Sequence, residues 1–179
     1  MGDIKKFDKY KRYGAYHWMW YDKKPSYREN ADFLKGWIKE KDVIEIGAGD
    51  GFIVHHLGIK GIDNDSTAVQ LAAEKKVKVD EGDAYDLPYD DKEFECALMT
   101  DTVEHFKDVN IPLSQVRRII RKYLYINIPA RERFEEPDHY HKWTPKQFIN
   151  EVTKNGFTLE EEPISKNKRH YFKFRRVDE

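Results

Sequence analysis

The sequence predicts an α/β chain built on a doubly wound, mostly parallel sheet flanked by helices, and three observations predict it. An apolar strand at 42–46 runs directly into a loop with Gly47, Gly49 and Gly51. Strand-like and helix-like patterns then alternate up to about residue 128, the signature of parallel strands joined by helices. Finally, two consecutive strand patterns near 157–164 and 169–176 are separated only by the polar turn Ser165-Lys166-Asn167-Lys168, so the sheet ends antiparallel.

Each element has a local reason. Residues 3–22 are dense in lysine and aromatics, and Lys23-Lys24-Pro25 breaks the chain. Ser26-Tyr27-Arg28-Glu29 reads as a capping box opening a helix whose apolar positions Tyr27, Ala31, Leu34 and Ile38 repeat at helical spacing, with Trp37 widening the stripe. Strand 42–46 follows, then a short helix 51–57, strand 59–63, helix 66–75, strand 77–81, strand 94–99, helix 110–121 and strand 122–128. Thr144-Pro145-Lys146-Gln147 carries a threonine cap, a proline at the first helical position and a glutamine for a capping box, and Asn155-Gly156 ends that helix.

The 179 residues fit a single domain, with an aromatic-rich segment over 1–40 and a sheet-bearing core over 41–179. The net charge of −1 offers no global basic field for nucleic acid. No apolar run approaches the ~18 residues that would span a bilayer, and no signal-peptide pattern opens the chain, so a cytoplasmic protein with no membrane partner is expected. Cys96, in an apolar strand pattern and without a cysteine partner, reads as a buried, inert thiol.

The glycine loop restricts the ligand. Alternate glycines let the backbone turn sharply and lie against a bound molecule. A dinucleotide fingerprint needs a small residue where this chain has Phe52, and a phosphate-binding loop needs a GK[ST] that is absent. Glu45 and Asp50 flank the loop and would repel a pyrophosphate, whereas a ligand with ammonium and sulfonium groups would be attracted. The implied ligand is S-adenosylmethionine. In addition, GDAYDLPYDDKEFECALMTDTVEHF, Gly82 to Phe106, resembles the GDA-x-x-LPF to LEH run of the class I (Rossmann-like) methyltransferases, in the branch that includes quinone-biosynthesis enzymes. With Gly61-Ile62-Asp63 between the two blocks, the resemblance covers roughly 42–162 and implies a seven-stranded sheet completed by the antiparallel C-terminal pair.

In a doubly wound sheet the ligand lies beyond the carboxyl ends of the strands. The resemblance then implies roles. Glu45, Gly47, Ala48, Gly49 and Gly51 would cradle the methionine end; Asp63 would accept both ribose hydroxyls, with helix capping as its other use; Asn64 would flank the adenine. Asp83 and the Ala84 N–H would meet the adenine ring, and Met99 and Thr100 would offer backbone groups to the methionine moiety. Asp101 stands where relatives usually carry an apolar or aromatic residue, as a general base, a substrate anchor or a turn cap. His105, with Glu104, matches the family, where the pair is more often structural. His139 and His141 lie in a segment that in relatives reaches over the active-site mouth and are further catalytic candidates, or plain surface histidines. Two histidines two apart suit a metal, but no cysteine or carboxylate set accompanies them, so no metal is expected. Tyr10, Tyr13, Tyr16, His17, Trp18, Trp20 and Tyr21 would cover the sheet edge or form a lid that excludes water.

The expected function is therefore methyl transfer from S-adenosylmethionine to an oxygen or nitrogen of a small or medium-sized acceptor. An RNA acceptor is the alternative, motivated by Lys166, Lys168, Arg169, Lys173, Arg175 and Arg176 interleaved with Tyr171 and Phe172. A non-catalytic binding module on the same fold is another.

Overall fold

The computed structural model describes residues 9–130 and 139–178. The element order is α1 (Lys9–Tyr13), α2 (Tyr16–Lys23), α3 (Pro25–Trp37), β1 (Val43–Ile46), α4 (Phe52–Leu57), β2 (Lys60–Asp63), α5 (Ser66–Glu74), β3 (Asp80–Glu81), β4 (Phe94–Met99), a 3₁₀ turn (Val103–His105), α6 (Asn110–Ile119), β5 (Ile120–Pro129), α7 (Pro145–Lys154), β6 (Phe157–Leu159), β7 (Ile164–Lys166) and β8 (Arg169–Arg176). The sheet runs β3-β2-β1-β4-β5-β8-β6, with β7 paired to β8 as well. All pairings from β3 to β5 are parallel, and β8 is antiparallel to β5, β6 and β7. Strand order reverses between β1 and β4, which opens a crevice at their carboxyl ends.

Strand alternation sorts the core into two layers. Ile44 and Ile46 of β1, Leu124, Ile126 and Ile128 of β5, and Phe172 and Phe174 of β8 face one side, packed with Leu113, Val116, Phe148 and Val152 of α6 and α7. Val43, Cys96, Leu98, Tyr125 and Tyr171 face the other, against Ala31, Leu34, Phe52 and Ile53 of α3 and α4. Cys96 is fully buried, and burial pushes its thiol up to about 12, consistent with an inert side chain.

Three expectations need correction. Ser26 and Glu29 form no capping box: Pro25 starts α3 from Lys24, which also ends α2, and no side chain caps that end. Glu29 instead accepts from Asn167 Nδ2 at 2.9 Å, tying α3 to the β7–β8 turn. The strand expected over 157–164 is two strands, because Glu160–Pro163 leaves the ladder; the sheet therefore has eight strands rather than seven. Strand pairing over 77–81 is confined to Asp80–Glu81. At α7 the expected capping box is present, with Thr144 and Gln147 satisfying each other's backbone N–H groups.

Candidate active site

The carboxyl ends of β1, β2 and β4 open into a cavity of about 1270 Å³, more than the roughly 300–1,000 Å³ typical of a small-molecule site and therefore roomy enough for two ligands side by side. Glu45, Gly47, Ala48, Gly49, Asp63, Asn64, Asp83, Ala84 and Thr100 all line it, and so do Asp101 and His105. The fold brings these distant segments together because each follows a neighbouring strand.

Two residues expected at the cofactor do not line this cavity. Gly51, in the left-handed region at φ +72°, is the N-cap of α4 and packs against Ala72, Val77 and Val79. Met99 is fully buried in the core because strand alternation directs it into the layer under α6. His139 and His141 are also off the cavity. The His139 side chain is 1% exposed and lies beside Glu104, and the His141 ring stacks on Trp143 at 4.4 Å. Tyr140 between them does line the cavity.

The loop geometry follows from its glycines. Gly47 sits at φ +79°, and a Cβ there would meet Thr102 Cγ2 at 2.5 Å; a Cβ on Gly49, at φ +54°, would clash with the Tyr10 hydroxyl. The Gly47 and Ala48 N–H groups donate to the Ile62 carbonyl at 2.9 and 3.0 Å, and the Gly49 N–H donates to Asp63 Oδ2 at 2.7 Å. Asp63 Oδ1 accepts from the Asp65 N–H at 2.8 Å, while Asp65 itself caps α5 through the Thr67 and Ala68 N–H groups. Asp63 thus holds the loop and its own turn in one place. Asp83 accepts from the Tyr85 N–H at 3.0 Å in a similar turn.

Glu45 is 1% exposed and takes a 2.6 Å hydrogen bond from the Thr100 hydroxyl. Burial pushes its carboxyl up to about 8 against that hydrogen bond, and the nearby Asp63, Asp50 and Asp101 add to the rise. A positively charged ligand group here would draw the proton off.

Asp50, fully buried in the lining of the cavity, anchors the aromatic segment. Its Oδ2 accepts from the His17 N–H at 3.0 Å, its Oδ1 lies 3.2 Å from His17 Nδ1, and its carbonyl accepts from Trp18 Nε1 at 3.0 Å. Phe52, the residue that excluded a dinucleotide loop, is the platform beneath: Trp18, Tyr21 and Tyr27 all pack on its ring with centroids 5.0–5.6 Å away. Tyr10, Tyr16, His17, Trp20 and Tyr27 consequently wall the cavity. Burial raises Tyr10 and Tyr27 well above the usual phenol value, so neither hydroxyl ionises readily even in alkaline solution. Asp50→Ala should lower stability by about 1–3 kcal/mol, since it removes the acceptor of the His17 N–H and the partner of the His17 ring, whereas the Trp18 bond to the main-chain carbonyl of residue 50 stays. Thermal melts check this; an unchanged melting temperature would contradict the anchoring role.

At the far end of the cavity Asp101 meets Arg169 of β8. The guanidinium Nε lies 2.9 Å from both carboxylate oxygens, and Nη2 also donates to Oδ2. Asp101 is in the left-handed region at φ +48°, sparsely populated by non-glycine residues, and its N–H is held by Asn127 Oδ1 at 3.0 Å. Burial disfavours the charge on Arg169, and the Asp101 carboxylate more than offsets it. Arg169, Asn127, Asn30 and Tyr171 were not singled out in sequence as cavity residues. Their signal lies in β5–β8 and α3 register, which a single sequence does not print.

Residues 44–126 match the family model described as a methyltransferase domain. An uncharacterized protein of Methanocaldococcus jannaschii is 26% identical over 132 residues, 72% of this chain and 63% of that protein. The fatty-acid O-methyltransferase of Mycolicibacterium smegmatis is 26% identical over 115 residues, 56% of this chain and 41% of the relative. The chain thus spans less than two thirds of the length of these curated relatives. Among solved structures, a SAM-dependent methyltransferase of Thermotoga maritima, described as a possible histamine N-methyltransferase, shares the fold with a TM-score of 0.78. It has 21% identity, with 93% of this chain and 97% of that chain covered.

Proposed function

We propose that this chain is a class I (Rossmann-like) methyltransferase of the type 11 branch that moves the methyl group of S-adenosylmethionine onto an oxygen or nitrogen of a small acceptor, a reading supported by the methyltransferase-domain match over 44–126. One observation carries the reading: a single cavity holds both the acidic glycine-loop end and an aromatic-walled end that finishes at Asp101 and Arg169. The cofactor would lie along Glu45, Gly47–Gly49, Asp63 and Asp83, with its sulfonium toward Thr100. Because the sulfonium makes the methyl electrophilic, the protein has to align a nucleophile and exclude water, tasks suited to the wall of Tyr16, His17, Trp20 and Tyr27.

Asp101 would accept a hydrogen bond from the acceptor hydroxyl or amine, while Arg169 fixes that carboxylate. Of the relatives described above, one is named for a fatty-acid oxygen and one as a possible histamine N-methyltransferase, within the same oxygen-or-nitrogen range. The distribution of basic residues supports a small acceptor over RNA. Arg169 is committed to Asp101, Arg175 to Glu160 with Nε to Oε2 at 2.7 Å, and Lys173 lies over the Tyr123 ring at 4.1 Å, so these β8 cations are engaged within the chain. The intact glycine loop favours catalysis over a silent binding module.

Asp101→Asn should leave S-adenosylhomocysteine affinity nearly unchanged and lower turnover by about 10²-fold or more. Because Arg169 loses a partner, stability should also fall, so the comparison is made well below the melting temperature. Steady-state kinetics against a panel of amines, carboxylic acids and phenols measures the effect. Equal turnover on the two proteins would remove Asp101 from the acceptor site.

A further inference from the structure

We infer that Glu104, His105 and His139 form a binding site for a divalent transition metal of the zinc class, set in the wall of the cavity. From sequence, the histidines of the HYH run lack a carboxylate to complete a ligand set. The fold supplies it, because the 3₁₀ turn after β4 and the segment after β5 meet. Among the described residues, one ligand atom from each of Glu104, His105 and His139 lies within 4.8 Å of the other two.

The separations suit an ion better than a direct contact. His139 Nε2 lies 3.9 Å from Glu104 Oε1, too far for a hydrogen bond. Two atoms that each sit ~2.0–2.1 Å from a shared ion are at most about 4.2 Å apart; the 3.9 Å pair lies within that span, and the trio, within 4.8 Å as it stands, has to contract on binding. The backbones are already cross-linked for this. The Tyr140 N–H donates to the Glu104 carbonyl at 2.9 Å, and the His105 N–H donates to the Thr102 carbonyl at 3.0 Å. Glu104 is 0% exposed and the His139 side chain 1%, so an ion held between them is withdrawn from water, where its attraction to a carboxylate is strongest.

The donor set selects the ion. Two imidazoles and one carboxylate, with a position left for water or substrate, match zinc, cobalt or iron; calcium and magnesium require oxygen ligands. Of the three ligands only His105 lines the cavity, so the site reaches that space through its ring. Metal binding itself does not depend on the methyl-transfer reading, and the test reads binding alone.

The experiment titrates Co²⁺ into the metal-stripped 179-residue chain, follows visible d–d absorption and then displaces it with Zn²⁺. One ion per chain with micromolar or tighter affinity is expected. His139→Ala should weaken it by about a hundredfold or more, and His141→Ala should leave it intact. If His139→Ala fails to fold, imidazole NMR shifts of the wild-type protein on adding Zn²⁺ serve instead, and must appear on His105 and His139. Absence of a cobalt spectrum, or binding equal in His139→Ala, overturns the inference, as do imidazole shifts confined to other histidines.

Discussion

Asp63→Ala is expected to weaken binding of S-adenosylmethionine and S-adenosylhomocysteine by about 1.5–3 kcal/mol, roughly ten- to more than a hundredfold, the scale of lost charge-assisted hydrogen bonds. The cause is double. The carboxylate closes β2 at the cavity, where two ribose hydroxyls would find it, and it already accepts the Gly49 and Asp65 N–H groups. Removing it would delete the proposed ribose contact and does release the Gly49 N–H of the glycine loop. Asp63→Asn keeps an acceptor but not the charge, so it should fall between wild type and alanine. Calorimetric titration of the three proteins gives the order; alanine binding as tightly as wild type would show that Asp63 serves only its own turn.

Glu45 should make both stability and cofactor binding depend on pH. Its carboxyl is pushed up to about 8 in the folded chain against an ordinary value of 4.5. Between those values the native state holds a proton that the unfolded state has lost, so the stabilisation present below about 4.5 declines as pH rises and is gone above about 8. A ligand with ammonium and sulfonium groups favours the ionised carboxylate, so binding releases a proton. Affinity for S-adenosylmethionine should therefore rise by up to about tenfold per pH unit and level off near pH 8. Glu45→Gln should abolish that slope, flatten the pH dependence of the melting temperature and stabilise the ligand-free protein near pH 8. Calorimetry in buffers of different ionisation enthalpy counts the proton, and a pH-independent affinity in the wild-type chain would contradict the buried, protonated Glu45.

The parts of the fold legible in sequence are those written in local patterns. The glycine loop, the acids ending β2 and β3, and the Thr144 capping box each lie within a few consecutive residues, and strand alternation placed the sheet. What the sequence hid depends on contacts between distant segments. Asp50 reads in sequence as an acid flanking the ligand, and its further contacts to His17 and Trp18 of α2, at the same cavity, are invisible there. Arg169 appeared as one of a row of cations, yet β5–β8 register delivers it to Asp101. Glu104 and His139 meet only because the ends of β4 and β5 are neighbours. The failed capping box at Ser26 is instructive for the opposite reason. Its local pattern was sound, but Pro25 and the preceding helix had already fixed where α3 begins.

The central claim is that one cavity holds the cofactor at the carboxyl ends of β1, β2 and β4 with the acceptor end at Asp101. A crystal structure of the chain with S-adenosylhomocysteine tests it most directly. The account predicts the ribose on Asp63, the adenine beside Asp83 and Ala84, the amino-acid end against Glu45 and Gly47–Gly49, and the sulfur directed along the aromatic wall toward Asp101. Density for the ligand elsewhere on the chain, or none at saturating concentration, would contradict it.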